Sequence, residues 1–536
     1  MKHYEEKLAQ HSAAWRDRYA LTMAQAFFTN GKHDINTTFH AYIRKSPFNG
    51  GYLITGGQNI IREWLAQHWK FDERDLDLMR EATVPDQSGK PQRVFTDAFI
   101  EMAKNAKMEL TIDAMPEGEI AFPDEPIYRV HGPLWQCLLV EAAILNTMNS
   151  QSLFATLASR MAEVAGGAPI LEFGLRRAQD VGGLAPSRGA YLGGASATSN
   201  DLANKYYGIP AAGTFAHALV MTYEDELTAF KEYIGAMPHN GIFLVDTYDT
   251  LEGVKKAIKA CQETGLNLKG IRLDSGDLTY LSIEARKLLD AAGFKNAAIC
   301  ASNDLDEETI AAIRREGGKI DIWGVGTNLV TAKAQPALGG VYKIGAVFDG
   351  KLSQQEIEAT RELVRQGRQP HLDPGFNRDV IKLSQDDIKT TIPGELDLLR
   401  YVAYKNGKPL RFDGDTIISN LTADSVKKGP DQSLPYPDLL ARAIVSIRKD
   451  NETLRKIFRA NTHVYRPLVR MLERGQEAPS WTEKTIHEAR SRASSSLKLI
   501  DPSHRRLKNP HVYGVGLEES LFRKRKDMIA SLRLKP

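Results

Sequence analysis

Cysteine is scarce in this chain of 536 residues: Cys137, Cys261 and Cys300 are its only three, and they lie far apart. No CxxC spacing exists, so neither a disulfide framework nor a cysteine zinc site is expected. Long apolar runs are missing too. The best candidate, residues 134–148, is interrupted by Gln136, Glu141 and Asn146, short of the roughly 18 uncharged apolar residues a membrane span needs. It reads as a buried helix. The opening MKHYEEKLAQ mixes charges and lacks the apolar core of a signal peptide. Charge of one sign is also absent, since the formal net charge is only +3. That removes the global basic field that argues for nucleic acid and the acidic excess that argues for disorder. No short repeat or low-complexity tract occurs. The expectation is a cytoplasmic protein with no nucleic-acid and no membrane partner.

The chain does have the length and the apolar content, 42% hydrophobic against 26% charged residues, for two or three cooperating units around a large core. Its organisation predicts three regions: an N-terminal α/β and helical region over 1–165, a core over 166–350, and a C-terminal region over 351–536. The first region closes on an apolar helical stretch, 134–164, ended by Gly166-Gly167-Ala168-Pro169. From there short apolar runs alternate with helix-length segments, and the runs stop at polar or glycine residues: Glu172, Asp246, Asp274, Ser302-Asn303 and Gly324-Val325-Gly326. Amphipathic stretches over 251–263, 278–292 and 307–316 lie between them. Such alternation implies parallel βα units. A closed or distorted (β/α) barrel, with chemistry collected where strands end, is the first choice; an open doubly wound sheet gives much the same pattern. The charged, glutamine-rich 351–378 stretch reads as a surface excursion, and the basic run 523–526 as a solvated helix face.

Four segments carry candidate chemistry, and a fifth reads as structural. IRLDSGDL (271–278) runs from a buried strand into a turn with two carboxylates, a hydroxyl and a glycine, followed at once by a helix. Such a turn suits an anion at the helix N-terminus, with Asp274 and Asp277 holding ribose hydroxyls or magnesium; it also suits an ordinary βα loop with a capping Asp or Ser. GTFAH (213–217) sets His217 among small and apolar residues, either as a satisfied core histidine or as a nucleophilic imidazole that accepts a phosphoryl group. EFGLRR (172–177) offers an aromatic ring beside arginine, a cradle for a planar anion or else a core Phe and a surface Arg pair. Gly324-Val325-Gly326-Thr327 is a glycine-spaced turn that lets backbone approach a phosphate. LVDTYDT (244–250) follows an apolar run but separates Asp246 from Asp249 by two positions; it reads as a barrel strand with a capped helix start.

Taken together these segments resemble the nicotinate phosphoribosyltransferases, within the type II phosphoribosyltransferases. The similarity spans nearly the whole chain, from RYALTM (18–23) through EFGLRRAQ, YLGGASATSN (191–200), GTFAH, LVDTYDT, IRLDSGDL, ASNDLDE (301–307), WGVGTNLVT (323–331) and GGVYKIGAV (339–347) to HRRLKNP (504–510). The resemblance implies an α/β fold: an irregular, TIM-like (β/α) barrel plus a smaller α/β domain built from N-terminal and C-terminal segments. It implies that nicotinate attacks C1 of phosphoribosyl diphosphate (PRPP), coupled to ATP hydrolysis through a phosphohistidine at His217, with Mg2+ present. It assigns Tyr19 and Phe173 to the two faces of the pyridine ring, Arg176, Thr214 and Arg272 to the nicotinate and its neighbouring phosphate, and Asp274, Gly326 and Thr327 to the phosphoribosyl moiety. Tyr19 is expected to reach a neighbour's site, which implies a homodimer with shared active sites. Nicotinamide-using relatives carry an aspartate that aligns with Ser196, and its absence favours the acid over the amide. The apolar residue usual before the tyrosine is replaced by Arg18. Competing readings are a nicotinamide or quinolinate phosphoribosyltransferase, and a catalytically silent barrel that binds metabolites.

Overall fold

The strand–helix alternation in the middle of the chain becomes a six-stranded, wholly parallel sheet in the computed structural model, which describes residues 6–348, 378–386, 389–419, 434–435, 444–446, 455–456, 462–483 and 485–534. Its strands lie side by side in the order Ile242–Leu244, Gly270–Leu273, Ala298–Asn303, Ile322–Val325, Ile170–Glu172 and Ala197–Thr198. Ala211 adds a further parallel bridge to Thr198. Beyond it, the Asn240 side-chain amide donates to Gly213 O at 3.2 Å, and the Phe215 and Phe243 rings meet edge to face at 6.4 Å. The 209–215 segment therefore closes the gap between the last strand and the first. The barrel is irregular because this closure uses one ladder bridge and side chains in place of a full strand.

Capping explains how the strands hand over to helices. Asp249, Asp277 and Asp306 each stand just before a helix and accept the N–H of the residue three further on, at 2.9, 3.0 and 2.7 Å. The helix Thr250–Thr264 then buries Val254, Ala257, Ile258 and Cys261, the i, i+3, i+4, i+7 stripe of a helix laid on a sheet. All strands being parallel, their carboxyl ends share one rim.

The chain divides into two units, residues 153–337, which hold this barrel, and residues 1–152 with 338–536. The division falls inside the helix Glu141–Ala165 and ahead of the strand Gly340–Phe348, so both core boundaries expected at 165/166 and 350/351 shift toward the N-terminus. In the unit of residues 1–152 and 338–536, segments from both parts of the chain interleave in one antiparallel sheet, with Asn36 paired to Phe348 and Ala114 to Val469. The same unit holds a second seven-stranded sheet. Its core also holds charge: Glu483 accepts from Arg492 and from the Asn59 amide, whose oxygen receives the Trp481 indole N–H at 2.9 Å. The basic run 523–526 lies on a largely solvated helix face: Arg523, Lys524 and Lys526 are exposed, with Lys524 paired to Asp379, and only Arg525 turns partly inward to donate to Thr391 O at 3.2 Å. The 351–378 stretch lies outside the described residues except for Arg378. Among the described residues no helix is long and apolar enough to cross a membrane.

Candidate active site at the strand ends

Glu172 ends its strand fully buried, where Ser187 and Thr198 donate hydroxyls to its Oε2 at 2.7 and 2.6 Å and the Gly174 N–H donates to Oε1. A carboxylate so paired fixes the turn that follows and presents Phe173 at the rim. The Phe173 N–H continues the ladder by donating to Val325 O at 2.8 Å. Its ring passes so close to the neighbouring strand that a Cβ on Gly324 would stand 2.7 Å from it. Only glycine leaves room for the ring there.

Next to the ring stands Arg272, its guanidinium carbon 5.4 Å from the Phe173 centroid. Arg272 Nη2 donates to Asp274 Oδ1 at 2.8 Å and Nε donates to Ser302 Oγ at 2.8 Å, while the Ser302 hydroxyl donates to Asp274 Oδ1. The DSGD turn is tied down from the next strand: Asp246 Oδ2 accepts the Asp274 N–H at 3.1 Å and the Ser275 hydroxyl at 2.6 Å. Asp246 Oδ1 is buried without a hydrogen bond. One residue on, Thr247 Oγ1 lies 3.1 Å from His217 Nδ1. His217 is half-buried at the start of the turn of helix His217–Met221, so it is not a core histidine.

Five of the residues singled out in the sequence thus stand at one rim with interlocking partners: Phe173, Arg272, Asp274, His217 and, capping the next helix, Asp277. Gly326 and Thr327 follow the strand Ile322–Val325 at the same rim, and a Cβ on Gly326 would lie 3.5 Å from Phe173 O. Thr214 is half-buried in the closing segment. Arg176 is on the rim but exposed, on the turn Leu175–Arg177, and makes no hydrogen bond or ion pair among the described residues. Tyr19 belongs to the other unit, residues 1–152 with 338–536. There its ring is 48% exposed on the helix Arg18–Thr29, and its hydroxyl is hydrogen-bonded to Glu141; burial and that carboxylate push the hydroxyl up to about 12. The unusual Arg18 stacks over Phe95 at 4.7 Å.

One expectation needs correction. Ser196 is not brought to the rim: its N–H donates to Ile170 O at 2.7 Å, at the amino end of the sheet, and it shares strand parity with Thr198, which faces Ser187 and Glu172. Ser199, exposed just past Thr198 with its N–H on Glu172 O at 2.8 Å, is the serine at the carboxyl rim. Asp277 uses Oδ1 to cap its helix, and Oδ2 makes no hydrogen bond among the described residues. Sequence reasoning missed Asp246, Thr247, Ser302 and Asn303. Their signal was the polar stop after each apolar run, present but unread as chemistry. Asn303 adds one the sequence hides, a φ of +130° at a residue that is not glycine, the kind of backbone strain that clusters at functional sites.

A parallel α/β barrel that gathers an aromatic face, an arginine, paired aspartates and an accessible histidine at its strand ends defines an enzyme whose ligands bind at that rim. The comparisons narrow the class. The family model for the nicotinate phosphoribosyltransferase (NAPRTase) N-terminal domain matches residues 15–149, and that for the nicotinate phosphoribosyltransferase C-terminal domain matches residues 441–525. The nicotinate phosphoribosyltransferase of Bacillus subtilis is 41% identical over 408 residues, covering 75% of each chain; that of Dictyostelium discoideum is 32% identical over 558 residues, covering 94% of this chain and 86% of the relative. The chain belongs to the nicotinate phosphoribosyltransferase family. Among solved structures, human nicotinic acid phosphoribosyltransferase aligns with a TM-score of 0.72 at 27% identity, covering 96% of this chain and 99% of the human one. The nicotinate-nucleotide pyrophosphorylase of Pyrococcus furiosus shares the fold, with a TM-score of 0.62 at 19% identity over 91% of this chain and 95% of that one.

Proposed function

We propose that the protein joins nicotinate to the phosphoribosyl group of PRPP, releasing diphosphate and nicotinate mononucleotide for NAD synthesis, and couples this to hydrolysis of ATP to ADP and phosphate. The observation that carries the reading is the Phe173–Arg272–Asp274 cluster on a chain of this family. The pyridine ring lies against Phe173, and the Nη1 edge of Arg272, which makes no hydrogen bond within the described residues, receives the nicotinate carboxylate. Arg176 and Thr214 border the acid and its neighbouring phosphate. Tyr19 from a second copy covers the other ring face, which makes the active form a homodimer.

Loss of diphosphate leaves positive character on the ribose. Asp274, with Oδ2 uncommitted, supplies the facing negative charge and a ribose hydroxyl acceptor, and Gly326 and Thr327 offer backbone and hydroxyl to the 5′-phosphate. No group of three or more His, Cys, Asp or Glu side chains able to hold a metal exists among the described residues. That suits Mg2+, which takes few protein ligands and several substrate phosphate oxygens; Asp274 and Asp246 are the carboxylates that would hold it. When bound, it neutralises charge on the leaving diphosphate. For ATP coupling, His217 attacks the γ-phosphorus, the bond to the β–γ bridging oxygen breaks, and ADP departs. Water later takes the phosphoryl group. With Nδ1 committed to Thr247, Nε2 is the nitrogen left to attack.

Incubating the purified protein with nicotinate, PRPP and Mg-ATP tests the reading. Nicotinate mononucleotide, diphosphate and ADP are the expected products on chromatography; absence of the mononucleotide overturns it.

A further inference from the structure

We propose that Ser302 is a positioning residue that locks Arg272 and Asp274 into a single clamp, so that one guanidinium edge and one carboxylate oxygen face the two substrates at a fixed separation. The inference rests on the assignment of Arg272 to nicotinate and Asp274 to the phosphoribosyl group.

A serine hydroxyl has one proton to give and two lone pairs to offer. At Ser302, which is 3% exposed, both kinds of capacity are used on the site: Oγ accepts the Arg272 Nε–H at 2.8 Å and the proton goes to Asp274 Oδ1. Leu273 O, 3.4 Å away, is the only other acceptor for that proton among the described residues, and it is neutral and more distant. The direct Arg272–Asp274 bond at 2.8 Å then closes a ring of three side chains. Arg272 is left with Nη1 and the second Nη2 N–H, and Asp274 with Oδ2, while Nε, one Nη2 N–H and Oδ1 are spent inside the protein.

Without the hydroxyl the clamp reduces to one ion pair between partly exposed side chains, 18% and 28% accessible. Such pairs constrain geometry weakly. The guanidinium would then be free to turn about its last torsion and leave the Phe173 face. Two features hold Ser302 itself in place. Gly324 packs against it, so closely that a Cβ there would lie 3.2 Å from Ser302 Cβ. Directly after it the chain is turned by Asn303 at φ +130°.

Steady-state kinetics of Ser302→Ala and Ser302→Cys test the proposal; cysteine keeps the volume but is a weak donor. Both variants are expected to raise KM for nicotinate and KM for PRPP together, by about tenfold, while kcat stays within about threefold, because binding geometry is lost and chemistry is not. Ser302→Thr, which keeps the hydroxyl, is expected to restore both constants. In the double variant with Arg272→Lys, Ser302→Ala is expected to add little to the nicotinate KM. A folded Ala or Cys variant with wild-type KM values for both substrates overturns the proposal, as does a variant that loses thermal stability alone. Arg272→Lys and Asp274→Asn on their own separate the two levels. If neither alters a KM, the substrate assignment fails; if they do and Ser302→Ala does not, only the clamp fails.

Discussion

The Arg272 guanidinium lies over the Phe173 ring, 5.4 Å from its centroid, and so turns an aromatic face and a cation toward the same side of the barrel rim. A planar anion gains from both at once. Phe173→Ala is therefore expected to raise the nicotinate KM by about tenfold, since an aromatic contact of this kind contributes on the order of 1 kcal/mol. Gly324→Ala should do similar damage from the opposite side, because its Cβ would meet the ring at 2.7 Å. Initial-rate measurements on folded variants check both.

His217 and Thr247 make a second pair. Labelled γ-phosphate of ATP is expected to appear as acid-labile protein phosphate, and the label should vanish in His217→Ala. Thr247→Val removes the partner of Nδ1 and is expected to slow labelling by about tenfold, the range set by losing one hydrogen bond that orients a nucleophile. Rapid quenching and base-stable phosphate counts give the result. Label persisting in His217→Ala would falsify the assignment.

Base choice has its own contrast. Ser199→Asp puts a carboxylate on the rim, where it repels an acid and can accept from an amide. It is expected to lower kcat/KM for nicotinate by about a hundredfold. Ser196→Asp, at the amino end of the sheet, should leave the ratio of nicotinate to nicotinamide turnover unchanged.

A pH effect on stability follows from Glu483, in the unit of residues 1–152 and 338–536. Burial first, and then the nearby Glu117 carboxylate, raise Glu483 from 4.5 to about 7 against the opposing pull of Arg492. A carboxyl whose folded value lies above its unfolded value stabilises the fold fully below about pH 4.5 and loses that contribution as pH rises to about 7. Glu483→Gln does not titrate. The Tm of the variant relative to wild type is therefore expected to climb between about pH 5 and 7 and to level off above. Thermal unfolding across that range measures it, and a flat difference would contradict it.

Much of the barrel was legible because most of its apolar runs stop at a polar or glycine residue and three of the following helices carry an Asp cap. Phe173, Arg272 and Asp274 could be picked out for the same reason. What could not be read was lateral: which strand ends are neighbours. Ser302 and Asp246 act across strands, 30 positions from Arg272 and 28 from Asp274 respectively, and no local pattern encodes that. Ser196 and Ser199 differ by three positions, yet one lies at the bottom of a strand and one at the top, a distinction that only the register with Ile170 and Glu172 decides. The division into units leaves no local signal, because the helix Glu141–Ala165 is continuous across it.

The central claim is that the rim recognises an aromatic acid and transfers phosphoribose to it. The most direct measurement is kcat/KM for nicotinate, nicotinamide and quinolinate, each with PRPP and Mg-ATP, on one preparation of the protein. The account predicts that nicotinate is preferred over both by at least about a hundredfold, the discrimination expected when a buried-edge cation is matched or left unpaired. Turnover of nicotinamide or quinolinate at or above that of nicotinate would contradict it.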